Sequence, residues 1–247
     1  MQFQRGHVGQ FFKGDPTLKL WLPFEENSGT TALDLSGNGN HGTISGALRT
    51  KGKIGNGLYF DGVNDYVSIA NSSSIQFANA ISVLYWIKTN TTTSGMPISK
   101  GKEREYYCFG ALDKGVISLA IYPGGSRLEQ YSNFNHFNDN QWHLFVGTYA
   151  NSTAGGDGKI RIYVDGKFDA ISAANNNTLR VENNTLALGQ NSAGSQWFNA
   201  NLDEVSLFSR ALSPKEISDY YLWSIGTPQR RIFYVPINTS NFFHFFR

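Results

Sequence analysis

Short apolar runs separated by turn residues recur along this chain of 247 residues. Leu18-Lys-Leu-Trp-Leu-Pro-Phe24 begins as an alternation, and Gly57-Leu-Tyr-Phe-Asp-Gly62 and Asp65-Tyr-Val-Ser-Ile69 flank a Gly-Val-Asn turn. Similar runs occupy residues 81–88, 116–122, 142–149, 159–165, 186–189 and 202–208. Strand-length segments rich in Val, Ile, Tyr, Phe and Trp predict an all-β antiparallel sandwich. Val164-Asp-Gly-Lys167 predicts a hairpin, because Asp-Gly adopts the type I′ turn that matches strand twist. One helix is expected over residues 213–222: Ser213 is the N-cap, Pro214 the first helical position and Glu216 the capping-box partner. Its apolar face is Ile217, Tyr220 and Tyr221.

The pattern assigns residues 17–225 to the sandwich, 1–16 to an extended N-terminal arm and 226–247 to an aromatic tail. The tail starts as a strand, Gln229-Arg-Arg-Ile-Phe-Tyr-Val-Pro236, and ends Asn241-Phe-Phe-His-Phe-Phe-Arg247. Four Phe in the last six residues are poor company for water. Either the tail packs on its own domain, or Ile232, Tyr234, Phe242, Phe243, Phe245 and Phe246 form an adhesive strand for a second subunit or capsid protein.

Charged residues are 16 % of the chain against an ordinary level of about 25 %, and Gly, Asn, Ser and Thr fill the difference. A net charge of +2 with scattered basic residues excludes a nucleic-acid footprint. Cys108 stands alone in Tyr106-Tyr-Cys-Phe-Gly110, where a thiol behaves as a small buried hydrophobe. Residues 1–7 contain no apolar core of a secretory signal, and no stretch approaches the roughly 20 apolar residues of a membrane span.

Asp34-Leu-Ser-Gly-Asn-Gly-Asn-His41-Gly is too polar to be core. Its Asp, Asn and carbonyl oxygens suit a hard cation, and calcium takes six to eight oxygens at about 2.3–2.6 Å. The same residue types also build ordinary polar turns.

Taken in order, Leu20-Trp-Leu-Pro-Phe24, the loop at residues 34–42, Gly57-Leu-Tyr-Phe-Asp-Gly62, Asp65-Tyr-Val67, residues 81–87, Trp142-His143, Tyr163-Val-Asp-Gly166, Leu202-Asp-Glu-Val205 and Ser209-Arg-Ala-Leu-Ser213 resemble a laminin-G-like domain of the concanavalin A-like lectin/glucanase superfamily. The resemblance implies a jelly-roll β-sandwich with a structural calcium at one edge. Carried onto this chain, Asp34 and Asp203 become carboxylate ligands, Asn38 a side-chain donor, and Asn40 or His41 a backbone-carbonyl donor. A salt bridge from Asp203 to an Arg such as Arg210 competes with that role, and imidazole is a poor calcium ligand.

The superfamily includes glycoside hydrolases, whose retaining members need two carboxyls about 5–5.5 Å apart. Residues 81–88, 116–122 and 142–149 carry no Asp or Glu. Asp203 and Glu204 are adjacent, which in a regular strand places them on opposite faces. Glu103 and Glu105 sit among Lys100, Lys102 and Arg104 as a charged hairpin. The expectation is a protein without catalytic residues. For glycan binding, Tyr122, Tyr131, Phe134, His136 and Trp197 lie near loops as platform aromatics, while Trp21, Trp86 and Trp142 fit core positions. A laminin-G-like domain followed by an Arg-Arg-aromatic tail is also similar to proteins of tailed-phage genomes, implying a decoration or adhesion module on a virion or extracellular surface. A secreted carbohydrate-binding module is the alternative, and a glycoside hydrolase the third reading.

Overall fold

The computed structural model describes residues 6–101, 105–191 and 193–226. In chain order, helix α1 (Val8–Phe11) precedes β1 (Leu18–Leu22), β2 (Thr31–Ala32), β3 (Gly42–Ser45), β4 (Leu48–Lys51), β5 (Asn56–Asp61) and β6 (Tyr66–Ile69). Then come β7 (Ala80–Lys88), β8 (Gly95–Lys100), β9 (Tyr106–Ala111), β10 (Val116–Ile121) and β11 (Leu128–Tyr131). The chain continues through β12 (His143–Ala150), β13 (Lys159–Val164), β14 (Lys167–Ala174), β15 (Leu186–Leu188), β16 (Asn199–Phe208) and helix α2 (Pro214–Ser224).

These strands form two eight-stranded sheets. Sheet A runs β14-β13-β12-β7-β16-β5-β4, with β1 also paired to β16, and sheet B runs β11-β10-β9-β8-β15-β6-β3-β2. Central pairings such as β7 with β12 and β9 with β10 are antiparallel. The two sheets face one another as a jelly-roll sandwich, as the alternation and the resemblance implied. Inward residues such as Val83, Tyr85 and Ile87 of β7 meet Cys108, Ile117 and Leu119 of sheet B in the main core. Cys108 is fully buried, and burial pushes its thiol well above the ordinary range.

Sheet A has a second core on its outer face. Leu84 and Trp86 of β7, Leu144 and Val146 of β12, and Phe208 of β16 pack there against Val8, Phe12, Trp21, Ile217 and Tyr220. The helix that covers this face is started as its sequence specifies: Ser213 and Glu216 form the reciprocal capping box, with Pro214 at its start. The N-terminal segment, read from the sequence as an extended arm, contains helix α1. From residue 6 onward it lies on the sandwich because Val8 and Phe12 have an apolar face to bury. Gly9 allows the close approach, since a Cβ there would sit 2.0 Å from the Trp21 ring.

A register shift in β16 between Asp203 and Ser206 changes which way its acids point. Leu202, Val205 and Leu207 enter the main core, so Asp203 and Glu204 are both displaced toward the outer side of sheet A. Simple alternation placed them on opposite faces; the extra residue of the bulge overrides it. Glu204 adopts φ 54, a left-handed conformation that costs a non-glycine residue on the order of 1 kcal/mol. Its carboxylate offsets that cost by binding His7 Nδ1 at 2.6 Å, the Val8 N–H at 2.5 Å and the Trp21 indole N–H at 3.0 Å. Asp203 beside it accepts from the N–H groups of Ile54 at 2.9 Å and Glu204 at 2.7 Å. Burial, reinforced by the charge of Glu204, pushes the Asp203 carboxyl well above the usual carboxylate range. Arg210, the alternative partner foreseen for Asp203, pairs instead with Asp15 and Glu216, each at 2.7 Å.

Glu204→Ala removes the shared acceptor of His7, Val8 and Trp21. Breaking such a buried pair costs about 3–5 kcal/mol, to be read from urea denaturation, and amide exchange at residues 7–12 accelerates. Burial acts to raise the Asp15 and Glu216 carboxyls, but hydrogen bonds from Arg210 and its neighbours outweigh it and hold both below the ordinary value. Their contribution to stability is therefore full above about pH 4 and is lost as pH falls through the folded-state values. Arg210→Met should flatten the decline of the urea midpoint between pH 5 and pH 3 relative to the wild-type chain.

Candidate functional site

The outer face of sheet B lacks the helix and N-terminal segment that seal sheet A, and it carries a band of aromatic side chains across β8–β11. Along β9, Tyr106 and Cys108 point into the main core, which turns Tyr107 and Phe109 outward. On β10, Ile117, Leu119 and Ile121 point inward, leaving Ser118 and Ala120 outward. The register sets Ala120 between Tyr107 and Glu129, and Ser118 between Phe109 and Tyr131. Met96, Tyr107 and Ala120 form a small apolar floor, with Phe109 and Tyr122 half-buried around it.

Polar groups sit on this floor in a defined arrangement. The Arg127 guanidinium lies 5.6 Å from the centre of the Tyr107 ring. Arg127 also forms an ion pair with Glu129, whose other oxygen accepts from the Ser118 hydroxyl at 2.6 Å. The Arg127 side chain is 50 % exposed and that of Glu129 is 12 %, so a donor faces solvent above an acceptor held in place. Burial and the charge of Glu129 push the Tyr107 and Tyr131 phenols up, which keeps both as neutral O–H groups at ordinary pH. The rim is fixed by the bridge between Pro123 and Leu179 and by the Arg180 N–H donating to the Tyr122 carbonyl at 3.0 Å. Aromatic faces beside a guanidinium, a carboxylate and hydroxyls stack against C–H surfaces while exchanging hydrogen bonds with hydroxyl groups. Strands β8–β11 carry one carboxylate, Glu129, whereas retaining hydrolysis uses two.

Two of the five platform aromatics expected from the sequence, Tyr122 and Tyr131, belong to this face. Phe134 and His136 lie elsewhere, 5.8 Å apart ring to ring, and Trp197 packs 6.2 Å from Tyr66. Sequence reading missed Tyr107, Arg127 and Glu129. Arg127-Leu-Glu-Gln-Tyr131 carries no apolar–polar alternation, and the run is short and polar for a strand.

The proposed calcium ligands do not converge. Asp34 accepts from the N–H groups of Trp21 at 3.0 Å and Ser36 at 2.9 Å with one oxygen, and from Asn40 at 2.8 Å with the other. His41 Nδ1 accepts from the Asp34 N–H at 2.9 Å. Asn38 donates to the Leu18 carbonyl at 3.0 Å, and Asn40 donates to the Lys19 carbonyl at 2.8 Å while accepting from the Ser72 hydroxyl at 2.6 Å. The loop thus caps β1 with its own polar atoms. Trp21 directs both N–H and C=O toward this loop, to Asp34 and Leu35, whereas Asp203 faces the outer side of sheet A. Among the described residues, no three His, Cys, Asp or Glu side chains gather as a metal site. In this arrangement the side-chain oxygens of Asp34 and Asn40 are engaged by protein donors, and Asp203 binds the N–H groups of Ile54 and Glu204. The tail residues Ile232, Tyr234, Phe242, Phe243, Phe245 and Phe246 lie outside the described residues.

Residues 61–218 match the family model described as the concanavalin A-like lectin/glucanases superfamily, in its laminin G branch. The chain belongs to this superfamily. No curated protein sequence matches it. The fold of this concanavalin A-like domain is similar to the binding domain of Paraclostridial Mosquitocidal Protein 1, with TM-score 0.68 and 13 % identity over 83 % of this chain and 52 % of that one. It is also similar to the ligand binding domain of botulinum neurotoxin serotype D in complex with N-acetylneuraminic acid, with TM-score 0.64 and 14 % identity over 83 % and 50 % of the two chains. This chain spans about half the length of those toxin domains. Domain 4 of AbnA, an extracellular arabinanase from Geobacillus stearothermophilus in complex with arabinotriose, gives TM-score 0.64 and 20 % identity over 83 % of this chain and 98 % of its own.

Because the loop at residues 34–41 is closed by protein hydrogen bonds, EDTA should leave the melting temperature of this domain unchanged. Asp34→Ala, which strips three buried or partly buried N–H groups of their acceptor, should cost about 1–3 kcal/mol with or without calcium. A fall in melting temperature on chelation would reinstate the ion.

Proposed function

We propose that this protein is a non-catalytic carbohydrate-binding module that holds a saccharide across the outer face of β8–β11. The observation that carries the reading is the tyrosine floor overlaid by the Arg127–Glu129 pair. Sugar rings present an apolar C–H face and a rim of hydroxyls, and this surface offers a partner for each. The guanidinium and carboxylate neutralise one another, which favours an uncharged saccharide over an acidic one. Two structures with similar folds were solved with saccharides, arabinotriose in the arabinanase domain and N-acetylneuraminic acid in the neurotoxin domain, which supports the reading. The virion-decoration reading rests on tail residues that lie outside the described residues.

Calorimetric titration with arabinotriose and other neutral oligosaccharides tests it. Tyr131→Ala and Arg127→Ala should each weaken binding about tenfold, equivalent to about 1.4 kcal/mol, with the melting temperature little changed. The same oligosaccharides should show no reducing-end release. Unaltered affinity in both variants, or measurable hydrolysis, would overturn the assignment.

A further inference from the structure

A cleft of about 270 Å³ opens at the edge of the sandwich where the β13–β14 turn meets the loop after β11, lined by Phe134, Val164, Asp165, Lys167, Phe168 and Asp169. Both of its walls are fixed. On the sheet A side, Asp165 and Gly166 form the tight turn with φ 50 and φ 77. Asp165 accepts from the Leu144 N–H at 2.9 Å and binds His143 Nδ1 at 2.8 Å. On the sheet B side, Asp169 accepts from the N–H groups of Asn133 at 2.6 Å and Phe134 at 3.1 Å, tying the loop to the hairpin. The Phe134 ring rests 4.8 Å from His143 and 5.0 Å from Phe137, so its orientation is set from behind. Opposite it, Phe168 is 56 % exposed although its strand neighbour Tyr163 touches it edge-on at 5.8 Å. An exposed phenyl ring beside a preformed cleft leaves apolar surface to be covered by a ligand.

From this geometry we infer a second saccharide subsite, separate from the tyrosine face, that takes a single neutral sugar ring against Phe168 and Phe134. The inference rests on the carbohydrate-binding reading. Each Asp oxygen already accepts a hydrogen bond but retains a further lone pair for a sugar hydroxyl. Lys167 supplies the complementary donor. The two carboxylates disfavour an acidic sugar, and Lys167 disfavours a cation. The volume falls just below the roughly 300–1,000 Å³ of small-molecule pockets, which suits one ring rather than a chain.

Amide chemical-shift mapping of the full chain with L-arabinose, D-galactose and D-glucose, and with N-acetylneuraminic acid as the anionic comparator, tests the subsite. With at least one neutral sugar, amides of residues 133–134 and 164–169 should move in the wild-type chain and in Tyr131→Ala. They should stay still in Phe168→Ala, with Lys167→Ala weakening the response at least fivefold. Phe168 is exposed, so its truncation should leave the remaining spectrum unchanged. Movement confined to the tyrosine face would overturn the subsite and leave the function standing. Movement confined to the cleft would support the subsite and relocate the function. No movement at either place with any neutral sugar, or equal movement in Phe168→Ala, would also end the inference.

Discussion

The carboxylate of Glu204 ties three parts of the molecule that are distant in sequence: the N-terminal segment through His7 and Val8, the first strand through Trp21, and the last strand on which it sits. With that latch made, Val8, Phe12 and Trp21 can cover Leu84, Trp86 and Phe208, and the central strands β7, β12 and β16 of sheet A are buried on both faces. The charge is satisfied by donors rather than by solvent, the condition under which a buried carboxylate is tolerated. Asp203, with fewer donors and a neighbouring acid, responds by favouring its neutral form.

Sealing sheet A leaves the two sheets unequal. The strands of each feed alternate side chains to the shared interior, but the central outward set of sheet A is covered by α2 and the N-terminal segment, while among the described residues Phe109, Tyr122 and Tyr131 on β8–β11 stay half-buried. Half-buried aromatic rings on a rigid sheet are surfaces already desolvated on one side and held in one orientation. Binding to such a surface orders little that was free beforehand, so less of the contact energy is consumed in fixing side chains. The same logic holds at the sandwich edge, where Asp169 joins the two sheets and positions Phe134 opposite Phe168.

The tyrosine face was half legible from sequence. Tyr122 and Tyr131 flank recognisable turns, whereas Tyr107 lies in a run of apolar residues whose inward and outward sets look alike. In Tyr106-Tyr-Cys-Phe, either parity would serve a core, so only the partner sheet distinguishes Tyr106 from Tyr107. The calcium loop shows the opposite failure. Its composition matched a cation site, yet the oxygens of Asp34 are taken by backbone N–H groups of residues 21, 36 and 40, a use that composition does not separate from metal binding.

By itself the sequence determined the features that depend on neighbours along the chain: the strand periodicity, the Asp165-Gly166 turn, and the helix begun by Ser213, Pro214 and Glu216. Each is decided by dihedral preferences and hydrogen bonds spanning a few residues. Tertiary structure decided the bulge that turned Asp203 and Glu204 to one side, the docking of residues 7–12, and the cleft that Phe134 and Phe168 both line. Those outcomes follow from packing and charge satisfaction between segments up to 197 residues apart, which local preference does not encode.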